Sequence, residues 1–245
     1  MRGVARSLWM YYGDVPHLRR MSRLYAGLLN PGDLAFDIGA HVGSRICVWQ
    51  RLGARVVAVE PVPQAMSVLK LLYGRNPRVR LVQAAVGEHI GSLPLLVCER
   101  EPTVSTLSPE WAHRMVRERT AFGSTTWERS IVVPVTTIDA LVQQYGQPAF
   151  CKIDVEGYDL VALRGVSEPL RALSFEYVPP ALDLALACLD RLSTLGEYEF
   201  NWSWGESMRF HWPEWVDSGT LVGYLRGYPP QGNPGDVYAR LKSRV

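Results

Sequence analysis

Three carboxylates follow a short apolar run in "FCKIDVEGYD", where Asp154, Glu156 and Asp159 fall within six positions. Side chains alternate along an extended chain, so Lys152, Asp154 and Glu156 are expected to share one face. A carboxylate can take the proton of a neutral hydroxyl when a second carboxylate or the exclusion of water raises its pKa. We therefore predict Asp154 as the base or orienting group of a transfer reaction, with Glu156 beside it and Lys152 orienting one of the two.

Two further residues are candidates for the base, and other roles remain open for the acidic segment. Glu176 ends a later apolar run, and His41 lies in a glycine-rich loop, whose turn it could alternatively fix. Asp154 could cap the following helix, and Lys152 could form an ordinary ion pair. Several acids together could hold a divalent cation that binds a substrate diol. Among these alternatives we favour proton transfer without a metal ion.

A glycine-rich loop, "DIGAHVG", stands where the first predicted strand turns into a helix. Gly39 and Gly43 allow the backbone to approach a ligand, and the helix N-terminus offers free N–H groups. Glu60 follows Gly39 by about 20 positions, where an acid can bind both hydroxyls of a ribose. His41 replaces the middle glycine of a dinucleotide fingerprint, and Asp37 brings a charge that suits an ammonium and a sulfonium. The loop therefore favours S-adenosylmethionine over NAD.

The elements that must position these groups alternate along the chain. The predicted strands are almost continuously apolar, as is typical of parallel strands with helices on both faces. They are "LAFDIG", "RVVAVE", "VRLVQAAVG", "AFCKID" and "ALSFEYV". Predicted helices lie before residue 30 and at residues 44–52, 64–73 and 160–163. The fourth strand of this topology neighbours the first, and ligands bind beyond the carboxyl ends of such strands, so Asp154 is expected beside the glycine loop.

Two regions interrupt this alternation. Residues 88–136 are rich in polar side chains, with one helical pattern at 110–118, and an insertion of this length is typical of a functional cover. The segment "YEFNWSWGESMRFHW" begins with a period of two, which predicts an antiparallel strand paired with "GDVYARL" through the turn region "GYPPQGNPGD". Its aromatic side chains either pack in the core against a helix or border an acceptor pocket. We expect residues 88–136 and 202–215 to close over the acceptor.

The composition indicates a single globular domain over residues 1–245, with a helical extension at 1–30 and a hairpin region at 196–245. Hydrophobic residues make up 47% and charged residues 20% of the chain, which argues against disorder. A net charge of +2 gives no reason to expect nucleic acid as a partner. No segment is expected to span a membrane or to act as a signal peptide. The four cysteines are scattered, which favours reduced thiols in a cytoplasmic protein.

Six motifs occur along the chain in this order: "DIGAHVG", "VVAVEPVPQA", "QAAVG", "TTIDAL", "KIDVEGYDLVALRGV" and "LSFEYV". Together they resemble the FkbM-type S-adenosylmethionine-dependent methyltransferases, from about residue 30 to residue 179. The resemblance implies an α/β, Rossmann-like class I fold with a mostly parallel seven-strand sheet. It also implies methylation of a hydroxyl oxygen on a sugar, a glycan or a natural product, and it leaves the oligomeric state open.

The same resemblance implies which residues contact the cofactor. These are Asp37, Gly39, Ala40 and Gly43 at the methionine part, with His41 and Asp154 adjoining, Glu60 at the ribose, and Pro61, Ala84 and Ala85 near the adenine. The chain departs from the family at His41, where Asn is usual, and at "SRICVW", which replaces a more hydrophobic run. Residues beyond 180 match no motif of the family, and we expect them to determine which acceptor is used.

A nicotinamide-dependent oxidoreductase is the main alternative, because it shares the order of strand, glycine loop, strand and acid. The chain lacks the third glycine of that fingerprint, and Tyr158 is not followed by the lysine of a Tyr-x-x-x-Lys pair. A non-catalytic module that binds the cofactor is a third possibility. Binding of S-adenosylmethionine but not NAD is expected of the methyltransferase.

Overall fold

The computed structural model describes residues 13–98, 102–118 and 126–242. Its strands are β1 Leu34–Ile38, β2 Arg55–Val59, β3 Val79–Val82, β4 Ala85–Val86, β5 Gly91–Val97, β6 Arg129–Thr136, β7 Phe150–Ile153, β8 Ala172–Tyr177, β9 Tyr198–Trp204 and β10 Gly235–Leu241. Its α-helices are α1 Val15–Ala26, α2 Ser44–Arg51, α3 Pro63–Tyr73, α4 Pro109–Arg117, α5 Ile138–Tyr145, α6 Asp159–Arg164, α7 Leu182–Leu195 and α8 Ser218–Gly227. Among the described helices, none is long and apolar enough to cross a lipid bilayer.

Seven strands form one large sheet in the order β3-β2-β1-β7-β8-β10-β9. The first five are parallel, whereas β10 runs antiparallel to both of its neighbours. The predicted mostly parallel sheet with a C-terminal antiparallel pair is therefore confirmed. Because β1 and β7 are adjacent and in register, with Asp37 opposite Lys152, the glycine loop and the acidic segment leave the sheet side by side.

Helices cover both faces of the large sheet, as the apolar strands predicted. Helices α1, α2 and α3 pack on one face, and α5, α6, α7 and α8 pack on the other. On the first face, Tyr25 contacts the rings of Trp49 and Phe150 with centroids 5.2 and 5.5 Å apart. Such edge-to-face pairs contribute about 0.5–1.5 kcal/mol each beyond their buried area. This packing attaches the predicted N-terminal helix to the sheet directly behind the glycine loop.

The predicted third strand, "VRLVQAAVG", is two strands that belong to different sheets. Its first half is β3 at the edge of the large sheet, and its second half is β4, which pairs with β6. The order β4-β6-β5 makes a second sheet of three strands, which the sequence analysis did not anticipate. Both halves are apolar, so hydrophobicity alone could not show the bend between them. The predicted helix in residues 88–136 is present as α4, capped by the Ser108 side chain.

The predicted pairing of the two C-terminal strands is confirmed, with Trp202 opposite Val237. Their connection is longer than the predicted turn region, because residues 205–234 lie between them and include α8. The first of these strands spans Tyr198–Trp204, the same residues over which apolar and polar side chains alternate in the sequence. The remaining aromatic residues of this segment fold back on the sheet, where Phe210 contacts the ring of Tyr238.

Candidate active site

Two glycines with left-handed backbone conformations fix the loop between β1 and α2. Their φ angles are 81° at Gly39 and 83° at Gly43, a region that L side chains rarely adopt. A Cβ atom on Gly39 would lie 1.9 Å from the carbonyl oxygen of Asp154, and one on Gly43 would lie 2.8 Å from the ring of Tyr73. The sequence analysis attributed both glycines to a ligand. The structure shows a packing reason for each: Gly39 admits the end of β7, and Gly43 packs on α3.

Glu60 follows β2 and connects it to the glycine loop. Its side chain is buried, and its carboxylate accepts the backbone N–H groups of His41 at 2.8 Å and of Val62 at 2.7 Å. Burial raises the pKa of Glu60 to about 7, although the two backbone hydrogen bonds lower it. Each carboxylate oxygen has a second lone pair, so Glu60 can still accept a hydrogen bond from a ribose hydroxyl.

A first pocket of about 530 Å³, including its open mouth, lies at the carboxyl ends of β1, β2 and β7. Eight of the residues singled out in the sequence line it, namely Gly39, His41, Glu60, Pro61, Ala84, Ala85, Asp154 and Glu156. Three carboxylates and the small side chains of Ala84 and Ala85 therefore share one cavity. An adenosine that carries a cationic amino-acid chain needs this combination, so the lining fits S-adenosylmethionine.

Residues 88–136 also contribute to the first pocket, which no motif in the sequence indicated. Their lining residues are Leu95, Thr103, Ser105 and Leu107.

Asp37, Ala40 and Gly43, which were expected at the methionine part of the cofactor, do not line the pocket. The closest structural support for an ammonium site is Asp37, which is 2% exposed and whose Oδ2 has no hydrogen-bond partner among the described residues. Burial raises its pKa to about 6, whereas Arg45 lowers it.

A buried ion network lies beside the first pocket, on the same face of the sheet as Asp37. Lys152 is fully buried, and its Nζ lies 3.2 Å from Asp154 Oδ2 and 2.8 Å from Asp236 Oδ1. Arg45 Nη2 lies 3.7 Å from the same oxygen of Asp154. Lys152 therefore forms an ion pair with Asp154, and it also donates a hydrogen bond to Asp236, 84 residues further along the chain.

The sequence analysis missed Arg45 and Asp236, although each carried a signal. Arg45 places a positive charge in the first turn of α2, where the helix dipole disfavours a cation unless an anion is near. Asp236 is a charged residue next to the apolar residues Val237, Tyr238 and Ala239 of strand β10, and is 8% exposed. Charged residues are rarely buried without a partner, so each implied a nearby opposite charge.

The protonation of Asp154 differs from the prediction. Burial raises its pKa, but Lys152 and then Arg45 lower it more, so the pKa of Asp154 lies below its ordinary value. The expectation that a second carboxylate raises it is wrong, because two cations outweigh the effect of burial; Lys152 was expected beside Asp154, whereas Arg45 was not. Asp154 also does not cap the next helix: α6 begins at Asp159, and the residue before it makes no side-chain cap. The two cations keep Asp154 in its charged form, so it is not the strongest base of the site.

Asp154, Glu156 and Glu176 form a group that we call the carboxylate trio. One oxygen of each lies within 4.8 Å of the others. Glu156 reaches the group from a left-handed backbone conformation, with φ of 53°, instead of the extended segment that was predicted. Burial, followed by the charge of Glu176, raises the pKa of Glu156 well above its ordinary value. Burial, followed by the charge of Asp154, does the same for Glu176.

A second pocket opens on the other side of the trio, and Glu176 lines it. Its remaining lining residues are Trp111, Gly157, Asp159, Leu160, Val178, Ala181, Leu184, Ala185 and Cys188. Since Asp154 and Glu156 line the first pocket, the trio lies at the junction of the two. An outer groove that shares Trp111 and Leu184 with the second pocket leads between α4 and α7 to the surface.

Residues from the 88–136 region are bonded directly to the acidic segment. Thr106 donates its hydroxyl hydrogen to the carbonyl oxygen of Glu156 at 2.7 Å. A Cβ atom on Gly157 would lie 2.1 Å from the Trp111 ring, so the indole packs where a side chain would otherwise be. Gly157 also has a φ of 79°, which only glycine adopts easily. This region therefore forms one wall of the second pocket.

The aromatic C-terminal segment lies elsewhere. Trp202 is 1% exposed and contacts Tyr224 and Tyr228, with ring centroids 5.2 and 5.0 Å apart. None of the residues 202–215 lines the first pocket, the second pocket or the outer groove. Of the two alternatives drawn from the sequence, packing against a helix describes Trp202, because Tyr224 belongs to α8.

His41 lines the first pocket but is a poor base. Burial lowers its pKa to about 4, although the charge of Asp154 raises it. Its backbone φ of 46° and the hydrogen bond from its N–H to Glu60 show that it fixes the turn of the loop. The structure thus favours the second role considered for this histidine.

The strand order, the loop between β1 and α2 and the acid after β2 define a class I methyltransferase fold. Residues 37–203 match the family model described as the methyltransferase FkbM domain. The chain belongs to this FkbM methyltransferase family, and its cofactor is S-adenosylmethionine. This family membership agrees with the motifs of the sequence and speaks against the alternative of a nicotinamide-dependent oxidoreductase.

A curated relative is methyltransferase sdnD from Sordaria araneosa, 29% identical over 154 residues, which are 54% of this chain and 60% of that protein. The chain thus matches less than two thirds of that relative. Solved structures with a similar fold include an O-methyltransferase from Bacillus cereus in complex with SAH (TM-score 0.49, 11% identity, 99% of this chain and 91% of that one). Another is precorrin-6y C5,15-methyltransferase from Geobacter metallireducens (TM-score 0.45, 16% identity, 91% and 87%).

Proposed function

We propose that this protein transfers the methyl group of S-adenosylmethionine to a hydroxyl oxygen of a sugar, a glycan or a natural product. The observation that carries the proposal is the position of the carboxylate trio at the junction of two pockets. The first pocket fits the cofactor, and the second is a separate cavity on the far side of the trio. A neutral hydroxyl must lose a proton when it is methylated, and carboxylates at the junction supply a place for it.

The residues proposed to hold the cofactor are those that line the first pocket, together with the loop behind it. Glu60 binds the ribose hydroxyls, and Pro61, Ala84 and Ala85 border the adenine. Asp37 and the loop residues Gly39, Ala40 and Gly43 support the methionine part, with His41 and Asp154 at its edge. When bound, S-adenosylmethionine supplies a methyl group on a positively charged sulfur. The carboxylates of this pocket favour that charge.

On the acceptor side, the three acids of the carboxylate trio are proposed to have different roles. Lys152 and Arg45 hold Asp154 as a charged carboxylate that orients the hydroxyl group. Glu156 and Glu176, whose pKa values are raised, are the better proton acceptors of the trio. Positioning of the two reactants contributes as well, and can supply about 7–11 kcal/mol of a barrier. The proton leaves the hydroxyl oxygen for a carboxylate oxygen of Glu156 or Glu176.

The second pocket indicates what kind of acceptor it admits. Val178, Ala181, Leu184 and Ala185 make an apolar wall opposite the acids. This combination suits an acceptor with an apolar body and a hydroxyl at one end, which favours a natural product within the proposed set. We further propose that residues 88–136 cover the acceptor within one domain, since Trp111 and Thr106 come from this region.

A cytoplasmic location is part of the proposal. Cys47, Cys151 and Cys188 carry free thiols, and two of them are buried. Free thiols are the usual state of cysteine in the reducing cytosol.

The first experiment separates cofactor binding from catalysis. Isothermal titration with S-adenosylhomocysteine should show binding, and titration with NAD should show none. The protein is then incubated with a cell extract and S-adenosylmethionine that carries a deuterated methyl group, and products are identified by mass spectrometry. Label on a hydroxyl oxygen supports the proposal. Label on nitrogen or carbon only, or binding without any transfer, would overturn it.

A further inference from the structure

The carboxylate trio has the ligand type and the spacing of a site for a hard divalent cation. All three groups offer oxygen, which Mg²⁺ and Ca²⁺ prefer. Ligands at 2.0–2.6 Å from one ion lie about 3–5 Å from one another. The trio's oxygens lie within 4.8 Å of one another, inside this range.

A second observation concerns Asp159, which lies next to the trio. Its side chain is 6% exposed, and its Oδ1 has no hydrogen-bond partner among the described residues. Asp159 lines the second pocket together with Glu176. An unpartnered carboxylate oxygen in the interior costs free energy, so its retention indicates a donor or a water that the protein alone does not supply.

The charges around the trio do not balance. Lys152 and Arg45 are the cations of this network, and their ion pairs are with Asp154 and Asp236. Among the described residues, neither Glu156 nor Glu176 has an ion pair, and an oxygen of each lacks a hydrogen-bond partner. Asp236 also pairs directly across the strands with Glu176, where like charges are destabilising. The excess of negative charge therefore lies on Glu156 and Glu176, at the junction of the two pockets.

We propose that Asp154, Glu156 and Glu176 bind one divalent cation of the Mg²⁺ or Mn²⁺ type at the junction of the two pockets. Asp159 accepts a hydrogen bond from a water on the ion, and the ion's remaining positions take water or an oxygen of the acceptor. The ion neutralises the negative charge of the trio that Lys152 and Arg45 do not offset. Its role in holding the acceptor rests on the proposed function, whereas its binding does not.

The test uses Mn²⁺ as the probe and the full-length protein saturated with S-adenosylhomocysteine. Isothermal titration and the electron paramagnetic resonance spectrum of Mn²⁺ should show one bound ion per chain. We expect Glu156→Gln and Glu176→Gln each to weaken Mn²⁺ binding at least about tenfold. Each substitution removes one of several neighbouring like charges. Without Mn²⁺, both variants should therefore unfold at a temperature no lower than that of the parent protein.

A matched control is Glu168→Gln, at an exposed position outside both pockets. It should bind Mn²⁺ as the parent does. No Mn²⁺ binding by a parent protein that binds S-adenosylhomocysteine would overturn the metal site and leave the proposed function standing. Equal binding by the parent and Glu176→Gln would also overturn it. Failure to bind S-adenosylhomocysteine, in contrast, would count against the proposed function itself.

Discussion

Two stretches along the carboxyl edge of the large sheet hold their buried acids in different ways. After β2, Glu60 accepts two backbone N–H groups, which the fold places permanently. After β7 and β8, the acids of the carboxylate trio face one another within 4.8 Å. Within the part of the chain that the structure describes, the cations paired with this second group are Lys152 and Arg45, and both are paired with its Asp154 member.

This difference separates a preformed binding surface from a surface that a ligand completes. Backbone amides satisfy Glu60 whether or not a cofactor is present, so the first pocket needs little rearrangement to bind one. The trio keeps an excess of like charge, which costs stability until a proton or a cation reduces it. Buried groups whose charges are not offset within the protein are expected where a protein acts on a substrate. Each prediction below changes one side of this comparison.

The largest effect is expected from Asp154→Asn, which removes the charge that Lys152 and Arg45 hold. Asn keeps the size of the side chain but lacks the negative charge that orients the hydroxyl group of the acceptor. We expect the rate of methyl transfer to fall by about 10²–10⁴-fold. The measurement is single-turnover transfer with S-adenosylmethionine and the acceptor both saturating.

The control for this change is Asp190→Asn on the exposed side of α7, which should transfer the methyl group at the parent's rate. Thermal unfolding of both variants shows whether they are folded. Parental turnover by a folded Asp154→Asn protein would mean that the essential group lies elsewhere, with Glu156 and Glu176 the next to replace.

A smaller effect is expected from Glu60→Ala on the other stretch. Hydrogen bonds to a charged group contribute about 1.5–3 kcal/mol, so the dissociation constant for S-adenosylhomocysteine should rise about 10- to 150-fold. Isothermal titration measures it, with the exposed Glu110→Ala variant as the control. Affinity equal to the parent's would remove Glu60 from the ribose site.

The stability of the cofactor-free protein should fall as the pH rises. Burial raises the folded-state pKa of Glu60 to about 7, whereas an unfolded glutamate titrates near pH 4. The folded state therefore holds the extra proton between these values, so this contribution is complete below about pH 4 and is lost as the pH passes 7. Its size is of order 1–3 kcal/mol.

Urea unfolding at several pH values between 5 and 8 tests this dependence. Glu60→Gln does not titrate, so its free energy of unfolding should change less over the same interval. The remaining slope in that variant should come from four other buried acids with raised pKa values. Burial raises the pKa to about 6 for Asp37 and to about 7 for Asp159, and it raises those of Glu156 and Glu176 well above the ordinary value. A steeper fall in the variant than in the parent would contradict the assignment to Glu60.

The smallest effects are expected from two substitutions, one against the Trp111 ring of residues 88–136 and one in the aromatic C-terminal segment. Gly157→Ala forces the Trp111 ring to move and places alanine in a left-handed conformation, which costs about 1–2 kcal/mol. We expect a higher KM for the acceptor with little change in cofactor affinity. Trp204→Ala, at a side chain that is 50% exposed, should leave both unchanged and alter stability by no more than about 0.5 kcal/mol.

Hydrogen exchange tests the same comparison without substitutions. With cofactor and acceptor bound, protection should increase in the described part of residues 88–136, and residues 202–215 should change little. Strong protection of the C-terminal segment would restore the expectation, drawn from the sequence, that it closes over the acceptor.

The sequence by itself determined the large sheet, the glycine loop and the acid after the second strand. These features depend on local order along the chain: continuous apolar runs predict parallel strands, and glycines with an acid at a set spacing predict a nucleoside site. The K-I-D-V-E-G block, with the other motifs, also identified the family before any geometry was known. Glu60 and Gly39 were found in this way.

Only the tertiary structure decided how the site is charged and enclosed. Asp236 accepts a hydrogen bond from Lys152, 84 residues away in the chain. Lys152 and Arg45 lower the pKa of Asp154, so Asp154 is a charged carboxylate instead of a base with a raised pKa. Thr106 meets the acidic segment from 50 residues away and brings its part of the chain over the second pocket. Because pKa values and pockets depend on distances through space, residues far apart in the chain set them jointly. No local pattern records those distances.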